Sequence, residues 1–243
     1  MKESHHHEVR KRRWREAQAY EQAWWSTVNP DLDYYKIFAE EVELHTTPYL
    51  SLEPETYVLE IGCGAAGAVA FLNAGHRYGL DPLEPFFASQ EGIQQFREQR
   101  VCYVAGKGEA LPYPAKTFNL VILDNVLDHC EAPPLVLDEM NRVIKPSGVI
   151  YFRQNVYHLW GRFVRWVMER TRIDTGHPHT FSKRGLLREF SKRGWLVKNY
   201  SSPGYSRTWL DELTEGTKRG IIKALLFVTR DRTLFILQKS SCT

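Results

Sequence analysis

Tyr57-Val58-Leu59-Glu60-Ile61-Gly62-Cys63-Gly64-Ala65-Ala66-Gly67 decides how this 243-residue chain is read. Val58 to Ile61 has the length and β-branched content of a buried strand. Gly62, Gly64 and Gly67 allow a sharp turn and close backbone approach to a ligand before a helix starts. Free N–H groups at such a turn suit a bound small molecule, and dinucleotides and phosphates use glycine-rich turns of the same sort. The turn therefore predicts a ligand without identifying it.

Downstream of this first strand, residues 56–61, apolar runs and turn signals alternate. A helix is expected through Val69-Ala70-Phe71-Leu72, stopping at Gly75, and then a strand over 77–80 ending in Asp81-Pro82. A helix over 84–99, a strand over 101–104, a Gly-rich turn and a strand over 118–123 follow. Next come a helix over 134–144, a Lys145-Pro146-Ser147-Gly148 turn and a strand over 149–152, and later a helix over 183–193 and strands over 195–200 and 233–238. This spacing predicts an α/β fold, a Rossmann-like, doubly wound, mostly parallel seven-stranded sheet with helices on both faces. Ligands of such sheets sit beyond the carboxyl ends of the strands.

Upstream, residues 1–54 read as an N-terminal helical extension or lid, and residues 55–243 as one catalytic domain with insertions at about 155–181 and 203–229. A helix over 8–28 places Trp14, Ala17, Trp24 and Val28 near one face, and a second runs over 31–49. Trp14, Trp24, Trp25, Tyr34 and Tyr35 are a large apolar investment near a terminus, suited to packing on the core or to an aromatic lid over a ligand.

Composition bounds the function. Charged residues make up 25% and hydrophobic ones 43%, as in a soluble globular protein. The apolar run over 221–228 is far too short to span a bilayer and carries Lys223. The N-terminus has no apolar segment of a secretory signal, so a cytoplasmic location is expected. Cys63, Cys102, Cys130 and Cys242 lack C-x-x-C spacing and read as reduced structural thiols. His5-His6-His7 is native sequence or an expression remnant; consecutive side chains rarely converge on one ion, and no metal is assigned. The net charge of +3 hides an asymmetry: residues 151–243 carry 18 Lys and Arg against 7 Asp and Glu. Such a basic third attracts nucleic acid, acidic substrates or anionic membrane surface, or is a solvated face.

Polar or glycine features recur at four strand ends: Glu60 with Gly62 and Gly64, then Asp81-Pro82, then Gly106-Lys107-Gly108-Glu109-Ala110-Leu111-Pro112, then Asp124-Asn125 ahead of Leu127-Asp128-His129. Together with Phe118-Asn119-Leu120-Val121 and Arg142-Val143-Ile144-Lys145-Pro146-Ser147-Gly148, these segments resemble the class I S-adenosylmethionine-dependent methyltransferases, in particular the methyltransferase type 11 family, over roughly residues 56–153. The resemblance implies that Glu60, Gly62, Cys63 and Gly64 face the methionine part of S-adenosylmethionine and that Asp81, beside Pro82, accepts the two ribose hydroxyls. It further implies that Gly108, Glu109 and Ala110 flank the adenine and that Asp124 and Asn125 line the cofactor. Three positions depart from the family pattern: Ala66 followed by Gly67 in the glycine turn, Lys107 where an acid commonly accepts from the adenine amino group, and Asn119 for an aspartate. A nicotinamide oxidoreductase would match Gly62, Gly64, Gly67 and Asp81, but Glu60 before the glycines and the Glu109-Ala110-Leu111-Pro112 segment speak against it.

Methyl transfer to a carboxylate or amine needs no protein base, whereas a hydroxyl acceptor does. Candidate bases are His129, His177 and His179. The group Asp124, Asp128 and His129 is also similar to the segment by which some quinone-type O-methyltransferases hold a divalent metal. Tyr34, Tyr35, Trp160 and Arg165 are candidates for binding the acceptor, expected to be a small molecule or saccharide-like metabolite methylated on oxygen or nitrogen ahead of carbon. The alternatives are an RNA methyltransferase using the basic C-terminal third, though no RNA-binding module accompanies it, and an inactive methyltransferase-fold binding protein.

Overall fold

A computed structural model describes residues 2–171, 176–214 and 217–240. Arg172, Thr175 and Cys242, together with the side chains of His5, His6 and His7, lie outside the described residues. Seven strands form one sheet: β1 (Tyr57–Ile61), β2 (His76–Asp81), β3 (Val101–Ala105), β4 (Phe118–Asp124), β5 (Ile144–Tyr157), β6 (Trp195–Ser201) and β7 (Arg230–Lys239). Their spatial order is β3-β2-β1-β4-β5-β7-β6. β1 to β5 pair in parallel, and β7 runs antiparallel to both β5 and β6.

The central strands alternate in where they point, as the two-residue period of a strand requires. Leu59, Val121, Leu123, Ile150, Phe152, Phe235 and Leu237 enter one core layer with α5 (Pro133–Val143) and α7 (Lys183–Lys192). Val58, Leu120, Ile122, Val149, Tyr151, Leu234 and Ile236 enter the other with α2 (Leu32–Thr46). Both faces are covered, which is why the central strands read as continuous apolar runs. Burial of each such side chain contributes about 1.5–3 kcal/mol.

Several helices differ from the sequence expectation. The N-terminal helix α1 spans Lys2–Trp25, and α2 starts after Asp31, whose side chain accepts from the N–H groups of Asp33 and Tyr34. No α-helix follows the glycine turn; only a 3-10 turn, Ala68–Ala70, connects it to β2. Ala68 and Val69 are fully buried, and the Arg77 guanidinium donates to the carbonyls of Val69 and Ala70, taking acceptors that a longer helix would have used. The helix expected over 84–99 is two short ones, α3 (Glu84–Ser89) and α4 (Glu91–Gln94), with Arg97 folded back onto Glu84 in a bidentate pair. Lys145 to Gly148 belongs to β5 as a looped-out irregularity between the pairs Phe118 with Ile144 and Leu120 with Val149. Beyond β5 come α6 (Leu159–Arg170), α8 (Tyr205–Thr214) and α9 (Lys218–Leu225). Asn119 packs as a connector, its Oδ1 accepting from Tyr57 N at 3.1 Å and Lys145 Nζ at 2.8 Å.

Arg153 of β5 ties these layers to the rim. It is 4% exposed, forms two 2.7 Å bonds to the Asp124 carboxylate at the end of β4, and reaches Glu41 of α2. Its plane lies 4.5 Å over the Phe38 ring. Arg153→Ala would leave Asp124 without its main counter-charge, and such a change is expected to lower stability by about 3 kcal/mol or more. Urea unfolding of the variant checks this; an unchanged midpoint would show that the pair carries no net stability.

Candidate active site

The carboxyl ends of β1, β2 and β4 open on a cleft of about 590 Å³. Gly62, Gly64, Asp81, Pro82, Asp124 and Asn125 lie on its wall. Gly62 and Gly64 have φ of +72° and +60°, a region side chains rarely adopt. A Cβ on Gly62 would also stand 2.4 Å from Val126 Cγ2, and one on Gly64 would stand 3.2 Å from Trp25 Cζ2. The third glycine of the turn is Gly67, at φ +76°, so the chain takes its last left-handed step one residue later than the family pattern has it, with Ala66 buried beside it.

Two acids organise this turn. Asp81 accepts from Gly64 N at 3.0 Å and Leu83 N at 2.8 Å while lining the cleft. Burial pushes its carboxyl up to about 6, against the two N–H bonds, which favour the anion. Glu60 turns beneath the glycines instead, its Oε2 accepting from Val69 N at 2.8 Å, and it does not line the cleft. Burial pushes Glu60 up to about 8, against the Val69 bond. Cys63 is buried under the same turn, and burial raises its thiol well above the ordinary value. Among the described residues Cys63, Cys102 and Cys130 are free thiols.

A recess of about 40 Å³ continues from the cleft between Ile61, Leu80, Gly108 and Val126. Glu109 lies on its wall but uses Oε1 to accept from Glu131 N and Ala132 N at 2.7 and 3.0 Å, closing the start of α5. Ala110 follows in the same turn, its N–H bonded to Lys107 O. Lys107 pairs with Glu131 at 3.2 Å and sits 3.4 Å over the Trp14 ring, so α1 covers the recess.

α1 also covers the cleft, supplying Gln18, Tyr20, Glu21, Trp24 and Trp25 to its wall. Trp25 meets Phe87 edge-on at 5.4 Å. The opposite wall comes from β5 and β7: because β7 is antiparallel, its first residues, Arg230 and Arg232, lie beside the carboxyl end of β5. Arg232 donates to Asp124 at 3.2 Å and to the Tyr34 hydroxyl at 3.3 Å. Glu21, Arg230, Arg232 and Asn155 escape a reading of strand-end motifs, since they reach the site only through the packing of α1 and the direction of β7. Their one sequence signal is the aromatic density of the N-terminal helix.

The candidate bases divide. His129 and His177 line the cleft with ring centroids 4.6 Å apart. His129 Nδ1 is buried without a hydrogen-bond partner and lies 3.6 Å from Glu21 Oε1. Asn155 Oδ1, on the same cleft, is likewise buried and unpartnered. His179 instead donates Nε2–H to Cys130 O at 3.0 Å, and burial holds its pKa below the ordinary value. The ligating atoms of Asp128, His129 and His177 lie within 4.8 Å of one another, a group able to hold a divalent ion, while Asp124 is taken up by Arg153 and Arg232. Of the acceptor candidates, Tyr34 lines the cleft, and Tyr35 is buried near Gly64 below it. Trp160 lies on the outer face of α6, and Arg165 donates to Thr180 Oγ1 over the Tyr157 ring; neither lines the cleft.

The methyltransferase domain model matches residues 59–152. An uncharacterized methyltransferase of Mycobacteroides abscessus is 30% identical over 203 residues, which cover 72% of this chain and 76% of that protein. The malonyl-[acyl-carrier protein] O-methyltransferase of Erwinia pyrifoliae is 31% identical over 97 residues, 39% of this chain and 36% of that protein. The crystal structure of geranyl diphosphate C-methyltransferase from Streptomyces coelicolor A3(2), in complex with Mg2+, geranyl diphosphate and S-adenosyl-L-homocysteine, matches with a TM-score of 0.64 at 13% identity. That match covers 85% of this chain and 80% of that one, and at such identity it is a likeness of fold. The chain belongs to the methyltransferase family, with the fold of the class I S-adenosylmethionine-dependent enzymes. Among the described residues no helix is long and apolar enough to cross a membrane. The residues at the rim fit the cofactor: a turn that admits no Cβ, a carboxylate with two oxygens beside it, and a small apolar recess next to both.

Glu60 yields a pH prediction. Its folded pKa, about 8, lies above the ordinary 4.5, so its contribution to stability is complete below pH 4.5 and is lost as pH rises through 8. Glu60→Gln keeps an acceptor for Val69 N–H and removes the titration. Thermal scans should therefore show a fall in Tm between roughly pH 4.5 and pH 8, levelling off above it, that is smaller in the variant; parallel curves would mean that Glu60 is not the group responsible.

Proposed function

We propose that this chain transfers the methyl group of S-adenosylmethionine to an oxygen or nitrogen atom of a small-molecule or saccharide-like acceptor, with His129 as the base for a hydroxyl. The observation that carries this reading is that two residues lining the cleft each hold a buried polar atom without a partner, His129 Nδ1 and Asn155 Oδ1. Buried polar groups are nearly always hydrogen-bonded, so an imidazole nitrogen and an amide oxygen without partners, in two residues that line one cavity, call for a ligand that brings hydrogen-bond donors. A hydroxyl brings one such donor, for the imidazole.

The bound cofactor supplies an electrophilic methyl on a sulfonium. In this reading Gly62 and Gly64 let the backbone approach it, Asp81 accepts its ribose hydroxyls, Gly108 and Ala110 border its base, and Asp124 and Asn125 flank its middle. Trp24 and Trp25 exclude water, and Tyr34 with Arg232 orients the acceptor; positioning of this kind supplies most of the acceleration in a displacement. His129 takes the acceptor proton, and Glu21, 3.6 Å from its Nδ1, stabilises the imidazolium that forms. Arg230, at the mouth, suits a carboxylate or phosphate on the acceptor.

Asp81→Asn is expected to weaken S-adenosylhomocysteine binding at least about tenfold, the loss of a charged acceptor in a buried site. Wild-type affinity should fall as pH drops below 6, where Asp81 takes up a proton, and stay flat in the variant. Calorimetry across pH checks both, and equal affinity in the two proteins would remove Asp81 from the cofactor site. An acceptor panel with labelled cofactor, including sugars, phenols, small amines and RNA, identifies the substrate class. Incorporation into RNA alone would overturn the small-molecule reading. On the acceptor so found, His129→Gln should lower kcat by about 10²–10⁴ while leaving cofactor affinity unchanged.

A further inference from the structure

The helix α6 is amphipathic, and it is mounted with its polar side inward. Gly161, Arg165 and Glu169, one stripe of the helix, face the protein: Gly161 is buried, Arg165 binds Thr180, and Glu169 pairs with Arg13 of α1 at 3.3 Å. Trp160, Phe163 and Trp166 point out and are 52, 52 and 56% exposed. An apolar stripe of this kind normally faces a core. Here no described element covers it.

The outward face does not end with α6. Trp160 donates Nε1–H to Leu226 O at 3.0 Å, and His158 donates Nε2–H to Phe227 O at 3.0 Å. These bonds fix the turn after α9 beside α6, and Leu225 and Phe227 are 70 and 59% exposed there. Phe227 also has φ +52°, a conformation that a bulky residue adopts only under strain. Strain is thus maintained at the residue that carries an aromatic ring into solvent. Ring packing against Trp209, at 6.1 Å and nearly parallel, holds it there.

Charge names the occupant. From His158 to Met168 the sequence holds Arg162 and Arg165 and no acid, and from Thr217 to Val228 it holds three bases and no acid. Arg162 and Arg170 are exposed, Arg170 at a helix position between Phe163 and Trp166 and Arg162 at the edge of that face, while the helix's one acid, Glu169, is paired with Arg13. A second copy of this chain would meet the face with the same positive charge. A surface of exposed Trp, Phe and Leu interleaved with arginine matches the boundary between acyl chains and anionic headgroups.

We infer that α6 and the turn after α9 form a docking face for an anionic phospholipid membrane, with the aromatic side chains seated at the acyl boundary and Arg162 and Arg170 on lipid phosphates. Docking of this kind is peripheral and reversible, and it is independent of the methyl acceptor. The test is co-sedimentation of the full chain with vesicles of phosphatidylcholine containing roughly 30% phosphatidylglycerol and with vesicles of phosphatidylcholine alone. Binding to the mixed vesicles should be at least about tenfold tighter and should weaken with salt. The triple variant Trp160→Ser/Phe163→Ser/Trp166→Ser should lose about tenfold or more, and Arg162→Glu/Arg170→Glu should lose the preference for phosphatidylglycerol. Both change exposed side chains, and circular dichroism and S-adenosylhomocysteine binding confirm the fold independently. No binding to mixed vesicles, or equal binding by wild type and folded triple variant, overturns the inference. So does a dimer in solution that the triple variant dissolves without any vesicle binding, which would assign the face to a second copy. Binding of polyglutamate but not vesicles would assign it to an acidic protein and overturn it equally.

Discussion

One buried guanidinium joins the parts of this molecule that have to agree. Arg153 sits in the middle of the sheet, holds the Asp124 carboxylate with two side-by-side bonds, and reaches Glu41 on the helix that covers one face. A buried charge is tolerated only when it is fully paired, so the positions of β4, β5 and α2 are set jointly by this one group. Asp124 then has lone pairs left for Arg232, which in turn holds Tyr34. The rim is therefore a chain of alternating charges that runs from the core to the cleft mouth. Substituents on that chain cannot move one at a time.

Against this frame the glycine turn is a second, purely steric constraint. Gly62 stands where a Cβ would strike Val126, so the turn after β1 and the turn after β4 are pressed together with no room for a side chain. Glu60 and Asp81 lie on the two sides of this turn and are both pushed toward the neutral form by burial. One serves the backbone from below and the other faces the cleft. Two carboxyls close in sequence logic thus have different surroundings, and it is the surroundings that separate their roles.

What could be read from the chain alone follows the range of the forces involved. Turn sterics and strand periodicity are local, and so the sheet, the glycine turn and the strand-end acids Asp81 and Asp124 were legible. The helix expected after Gly67 was not, because Arg77, from the next strand, takes the carbonyls of Val69 and Ala70. Glu109 carries the family pattern, yet its carboxylate is bonded to the first N–H groups at α5, a fact that depends on where that helix lies. The antiparallel direction of β7, which delivers Arg230 and Arg232 to the cleft, has no signature in the residues of β7 itself. Trp160 and Arg165 share a helix that looks suited to ligand binding; which side faces inward is decided by Glu169 and its partner on α1.

The N-terminal helix has a consequence of its own. It forms the roof of the cleft with Trp24 and Trp25, closes the recess with Trp14, and is joined to the body by Arg13 on Glu169 and Lys107 on Trp14. A roof made of one helix packed on the body along one side opens at a lower free energy than the sheet beneath it, which is covered on both faces. Ligands of the cleft touch that roof, and their binding free energy is spent partly in ordering it. Occupancy of the site is thereby legible at a distance, as slower amide exchange along a helix that carries none of the glycine turn.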